Sequence, residues 1–219
     1  MDVPPIITVD GPGGAGKGTL CFSLASKLSW HMLDSGALDR VTALAALHAG
    51  QQDADEQSLA AIALDLPVSF QPAAEGVTRV ELDGRDVSLR IREEDCSALA
   101  SKVAAMKAVR SALLDRQRAM AQAPGLVADG RDMGTVVFPD AGLKVFLTAT
   151  AEARARRRQS QLLAQGQSVT LARLLETIEE RDARDRSRAE STLVPAADAV
   201  QIDSTGLTAA QELTQDLAE

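Results

Sequence analysis

Tyrosine and asparagine are absent from this 219-residue chain, and tryptophan, cysteine and phenylalanine occur only one, two and four times. With aromatics at 2%, a base-binding pocket cannot rest on several stacked rings, so hydrogen bonds would have to read any base. The missing asparagine removes the Asn-Lys-x-Asp element by which guanine-specific switches recognise their nucleotide. Cys21 and Cys96 match no metal or redox spacing, and a chain with so few cysteines is expected in the cytoplasm with both thiols buried and reduced. No window reaches the length of a membrane span. The segment from Met1 to Pro5 carries no signal-type stretch before the apolar Ile6-Ile7-Thr8-Val9. An excess of positive charge is missing as well: 31 acidic against 23 basic residues leave a net charge of −8. That balance argues against polymeric nucleic acid as a partner, and any phosphate site must be local.

What is present has an alternating order. Short apolar runs at 6–9, 31–33, 126–128, 143–147 and 200–202 predict five buried parallel strands. Helical patterns over 17–28, 38–48, 97–122 with a break near Lys107, 151–165, 169–188 and 208–217 separate or follow them. The fold class is α/β, a three-layer arrangement in which ligands bind beyond the carboxyl ends of the strands. At 68–70, 77–82 and 86–89 the pattern changes to short strands, the last two joined by the turn dipeptide Asp83-Gly84. This predicts a small β insertion over about residues 64–92. His31 reads as a strand residue and His48 as a helix-face residue.

The strongest motif is Asp10-Gly11-Pro12-Gly13-Gly14-Ala15-Gly16-Lys17-Gly18-Thr19, which follows the first strand and opens the first helix. Its glycines allow the backbone to wrap phosphates, and Lys17 adds a point charge near the β and γ groups. The ATP-binding residues are therefore Gly11, Pro12, Gly13, Gly14, Ala15, Gly16, Lys17, Gly18 and Thr19. Gly18 stands where a phosphate loop usually has Ser or Thr, and Thr19 follows one place later. Thr19 is the candidate hydroxyl for Mg²⁺ bound with ATP, through water, and Asp129 is a second candidate.

Three further clusters are expected where strand ends should meet. They are Leu33-Asp34-Ser35-Gly36 running to Arg40, Ala128-Asp129-Gly130-Arg131-Asp132-Met133-Gly134-Thr135, and Arg181-Asp182-Ala183-Arg184-Asp185-Arg186-Ser187-Arg188. The stretch from Arg154 to Arg188 holds nine arginines and no lysine. A solvated helix face with pairs such as Glu180 with Arg184 and Asp182 with Arg186 would explain it. Arg181, Arg184, Asp185 and Arg188 also share one helical stripe, which suits a lid that neutralises a moving phosphoryl group.

The Gly-x-Gly-Lys-Gly-Thr ending resembles the nucleoside monophosphate kinases. With the other clusters, and with Leu193-Val194-Pro195-Ala196-Ala197-Asp198-Ala199 and Asp203-Ser204, almost the whole chain resembles the bacterial cytidylate kinases. The resemblance implies one phosphate-loop kinase domain over 1–219, an acceptor-binding region over 36–122 enlarged by the β insertion, and a lid over 154–188. It implies transfer of a phosphoryl group from ATP to CMP or dCMP by a monomer. Ser101, Arg110 and Asp132 would bind cytosine, and Arg40, Arg131 and Arg188 the acceptor phosphate. Ser35, Arg181 and Asp185 would contact the sugar or nearby phosphate. Asp129 joins the CMP side, Arg157 the ATP side, and Lys17, Arg131, Arg181 and Arg188 are the catalytic set. The acceptor is already an anion, so no residue is assigned as general base. Asp39 stands where the family usually has tyrosine; with a helix starting near Gly36 it would lie in the first turn, pointing to solvent or the pocket rim. The other readings are a kinase for UMP or AMP, or a nucleotide-sensing module without catalysis.

Overall fold

A computed structural model describes residues 4–72, 78–164, 166–186 and 193–207. In chain order the elements are β1 (Ile6–Asp10), α1 (Lys17–Leu28), β2 (His31–Asp34), α2 (Ser35–His48), α3 (Glu56–Leu64), β3 (Val68–Pro72), β4 (Thr78–Leu82) and β5 (Arg85–Asp86). They continue with α4 (Glu94–Val103), α5 (Lys107–Ala119), β6 (Leu126–Gly130), β7 (Leu143–Thr148), α6 (Ala151–Ala164), α7 (Leu171–Arg186) and β8 (Val200–Asp203). Five strands form one sheet in the order β2-β6-β1-β7-β8, and β3, β4 and β5 form a small separate sheet. β1 lies parallel to both β6 and β7, with Asp10 opposite Gly130 and Phe146, and β8 runs parallel to β7. All five strands expected from the apolar runs are present, in an α/β arrangement.

The chain divides into two compact units, one formed by residues 1–32 and 123–219, the other by 33–122. In the first, Ile7, Val9, Val127 and Val145 of the sheet pack with Leu20, Cys21 and Ala25 of α1, bordered by Leu24, Trp30, Met32 and Ile202. In the second, Leu38, Val41 and Leu44 of α2, Leu59 of α3, Val80 and Leu82 of β4 and Val109 and Leu113 of α5 are buried. Both cysteines are buried free thiols. No helix among the described residues is long and apolar enough to cross a membrane.

Several boundaries differ from those the pattern predicts, and local hydrogen bonds explain them. α2 starts at Ser35 because Asp34 caps it, its Oδ1 accepting from the Ala37 amide at 2.9 Å. Asp39 therefore lies beyond the first turn and is half-buried. α3 was not expected; Asp55 caps it through the Ser58 amide at 2.8 Å. The third insertion strand ends at Asp86, whose carboxylate accepts from the Ser88 amide and hydroxyl at 3.0 and 2.7 Å and turns the chain. The expected break near Lys107 separates α4 from α5. Val77 and the helix expected over 208–217 lie outside the described residues.

Candidate active site

Directly after β1 the backbone enters a loop in which Gly11, Gly14 and Gly16 all take positive φ. At Gly11, with φ +149, a β-carbon would lie 2.1 Å from the carbonyl oxygen of Leu147 on β7. Gly16, with φ +103, sits at the N-cap of α1 with no side-chain capping bond, so no cap competes for the amides of the first turn. Such a helix start favours an anion.

Lys17 is buried, and its Nζ donates to the carbonyl oxygen of Pro12 at 3.1 Å while lying 3.7 Å from Asp129 Oδ1. Burial holds its pKa below the ordinary lysine value; Asp129 opposes this, and the charges of Arg131 and Arg181 add to it. A β-carbon at Gly13 would lie 3.6 Å from Arg181 Nη1 and 3.7 Å from Arg131 Nη2, so both guanidinium groups flank the loop. Asp129 Oδ2 lies equally close to the open side of Gly18. Thus Lys17 of α1, Arg131 just after β6 and Arg181 of α7 converge on the loop.

The loop is braced from α6. Arg154 is buried and donates from Nη1 to the Gly13 carbonyl at 3.1 Å and from Nε to the Ala149 carbonyl at 3.1 Å. Its guanidinium also makes two bonds to Asp182 of α7, at 3.0 and 2.5 Å. Arg157 reaches the Gly14 carbonyl at 3.4 Å, the Ser204 hydroxyl at 3.2 Å, the Ser204 carbonyl and the Leu207 carbonyl at 3.2 Å. The buried Ser204 hydroxyl lies 2.7 Å from the Ala15 carbonyl. On α7, Asp185 accepts a hydrogen bond from Arg131 Nε and is buried.

β6 leads into Arg131 and the buried Asp132, and a short helical turn over Met133–Val137 follows. Asp10 holds the start of that turn: its Oδ1 accepts from the Met133 amide and its Oδ2 from the Gly134 amide, each at 2.8 Å. The Asp10 carboxyl is pushed up to about 6, chiefly by burial, with the two amide bonds opposing.

The second unit carries Ser35, Arg40, Ser101 and Arg110. Ser35 and Ser101 are buried, and Ser101 Oγ has no hydrogen-bond partner among the described residues. Arg40 and Arg110 are half-buried, on α2 and α5. The Arg40 carbonyl accepts from Cys96 Sγ at 3.2 Å. A buried hydroxyl with no protein partner costs stability unless something else satisfies it, which suits a ligand contact.

A family model described as cytidylate kinase matches residues 7–218. The chain belongs to the cytidylate kinase family. A curated protein of Edwardsiella ictaluri named cytidylate kinase is 57% identical over 216 residues, covering 99% of this chain and 96% of its own length. Proteins of the same name from Aeromonas hydrophila and Klebsiella pneumoniae are 56% and 55% identical, covering 98% and 97% of this chain and 93% of their own lengths.

Within this cytidylate kinase framework the first unit brings together Lys17, Asp129, Arg131, Arg181 and Asp185 around the phosphate loop. Arg188 lies outside the described residues. The helical stripe needs correction: Asp182 and Asp185 are buried on α7, with Arg181 half-buried, whereas Arg184 is exposed, its Nε donating to the Glu180 carbonyl at 3.3 Å. Asp182 bonds Arg154, 28 positions away, where helical spacing suggested Arg186. Asp10, Arg154, Asp182 and Ser204 are the residues that the motif reading did not assign. Asp10, Asp182 and Ser204 each lie inside a motif quoted from the sequence, but their partners are remote in the chain, and Arg154 is marked only by heading the arginine-rich stretch.

Proposed function

We propose that this protein is an ATP-dependent kinase that transfers the terminal phosphoryl group of ATP to CMP or dCMP, giving ADP and CDP or dCDP. The observation that carries the reading is the convergence of Lys17, Arg131 and Arg181 on a glycine-built loop at the end of β1. Phosphoryl transfer asks little covalent chemistry of the protein and depends on alignment and charge neutralisation. Gly11 to Thr19 would cradle the ATP phosphates, with Arg154 and Arg157 bracing that loop from behind. Burial holds Lys17 below its ordinary pKa, and a polyphosphate would favour its cationic form and bind to it.

Asp132 would accept from the cytosine amino group while Arg110 donates to the ring acceptors and Ser101 supplies its buried hydroxyl. Uracil would set an oxygen against the Asp132 carboxylate, a mismatch that can cost on the order of 10⁴ in selectivity. This disfavours UMP as the acceptor. Arg40, Arg131 and Arg188 would hold the acceptor phosphate, and Ser35, Arg181 and Asp185 the sugar or nearby phosphate.

No group of three or more His, Cys, Asp or Glu side chains among the described residues forms a metal cage. The exposed Thr19 and the carboxylate of Asp129 beside Gly18 fit a magnesium ion that arrives with ATP and keeps much of its water. Bound there, the ion would neutralise charge on the β and γ oxygens. The protein works as a cytoplasmic monomer on these small substrates, with 36–122 as its acceptor region and 154–188 as its lid. Incubation with ATP, magnesium and each nucleoside monophosphate in turn, following ADP, tests the reading. CMP and dCMP should be turned over at least about a hundredfold more efficiently than UMP or AMP; equal rates with UMP would overturn it.

A further inference from the structure

We propose that Asp10 is a positioning residue for acceptor recognition: by holding the amides of Met133 and Gly134, its carboxylate sets the backbone from which Arg131 and Asp132 project. The inference rests on the reading of Asp132 as the group that recognises cytosine. Its basis is geometric. Asp10 is the last residue of β1, paired in register with Gly130, the last residue of β6. Beyond that point β6 has no further ladder bonds to β1, and the chain must still present Arg131 and Asp132 in a fixed direction. Two 2.8 Å bonds from opposite oxygens of one carboxylate supply the constraint, across 123 and 124 positions of sequence. Amide donors on an ionised acceptor make stronger bonds than neutral pairs.

The same turn is closed on its other side. The Asp132 carbonyl accepts from the amides of Val136 and Val137 at 2.8 and 3.2 Å. Gly134 fits against Thr8 so closely that a β-carbon would lie 2.9 Å from the threonine hydroxyl. Asp132 is therefore held through its carbonyl from ahead and through the next two amides from behind. An asparagine at position 10 would keep the shape but turn one acceptor into an NH₂ facing an amide N–H, so one clamp bond would be lost. The charged groups that face Asp10 are Asp132, which disfavours its ionised form, and Lys17, which favours it. Protonation of Asp10 should loosen the clamp in the same way as the asparagine.

Steady-state kinetics of Asp10→Asn near pH 7.5 test this. KM for CMP should rise at least about tenfold and the CMP-to-UMP preference fall at least about fivefold, while KM for ATP moves less than about threefold. If KM for ATP and CMP rise together and the CMP-to-UMP preference holds, Asp10 is a general anchor of the phosphate loop and the proposal is wrong. A wild-type measurement guards against a variant that does not fold: in labelled enzyme, the amide resonances of Met133 and Gly134 should titrate with a midpoint near pH 6, following Asp10. If the Asp10 side-chain carboxyl titrates and those two amides do not follow it, the proposal is overturned. The CMP phosphate titrates in the same range, about pH 6, so this spectrum is taken without substrate. Failure of the wild-type enzyme to prefer CMP over UMP would instead point to the reading of the substrate.

Discussion

Lys17 is disfavoured as a cation by burial and by Arg131 and Arg181, and favoured by Asp129. Its charge gains most when phosphate oxygens replace protein as its partners, and more still as the phosphoryl group moves. Lys17→Met keeps most of the buried stem and removes the charge, so kcat should fall at least about a hundredfold while folding survives. Near-normal turnover in a folded variant would refute the donor-site assignment. Asp10 gives a pH prediction of definite sign. Its carboxyl is raised from 3.8 to about 6, so the native state holds this proton more tightly than the unfolded chain. The stabilisation from that proton is fully present below about pH 4 and is lost as pH rises through about 6. In urea melts, wild type should therefore lose stability relative to Asp10→Asn between about pH 4 and pH 7. A difference that stays constant across that window would show that Asp10 does not titrate there.

At the scale of elements, the sequence patterns located the five strands well because buried parallel strands read as short apolar runs of their own. The phosphate loop was equally legible, since strand, glycines, lysine and helix are contiguous. What escaped was set by side chains acting at a distance or by a single cap. α3 rests on the Asp55 cap, and its burial is limited to one face that includes Leu59 and Ala63. The Arg154–Asp182 pair joins α6 to α7 and both to the Gly13 carbonyl, a connection that no spacing along one helix encodes. Helical periodicity instead offered Asp182 to Arg186, an exposed-face pair by design of the pattern, whereas Asp182 is only 5% exposed. Removing one partner of a buried pair leaves the other charge uncompensated. Asp182→Asn should thus destabilise the protein by about 3 to 5 kcal/mol and raise KM for ATP through the loosened Gly13 carbonyl. Denaturant melts read the first effect; a loss under about 1 kcal/mol, typical of a solvent-exposed pair, would show that the Arg154–Asp182 contact contributes no buried-pair stability.

For the whole molecule, the proposed site residues are spread over both compact units and many elements, while the net charge of −8 leaves phosphate attraction to local arginines. Those arginines already have partners on the first unit: Arg154 with Asp182, and Arg131 with Asp185. Asp185 and Arg131 are both proposed to contact CMP, and Arg181 and Arg188 the phosphates, so on this reading ligand binding shifts partners among these charged groups. A segment whose charged groups exchange partners on binding should change its opening equilibrium, and the change should be largest when donor and acceptor phosphates are both present. Hydrogen exchange across residues 151–188 provides the measurement. CMP together with a non-hydrolysable ATP analogue should raise protection there at least about fivefold, with either ligand alone giving clearly less. The central strands β1 and β6, which carry the core, should change little by comparison. Equal protection with one ligand and with two would mean that α6 and α7 do not close over the reacting phosphates, and the arginine-rich segment would then be a fixed wall of the donor site.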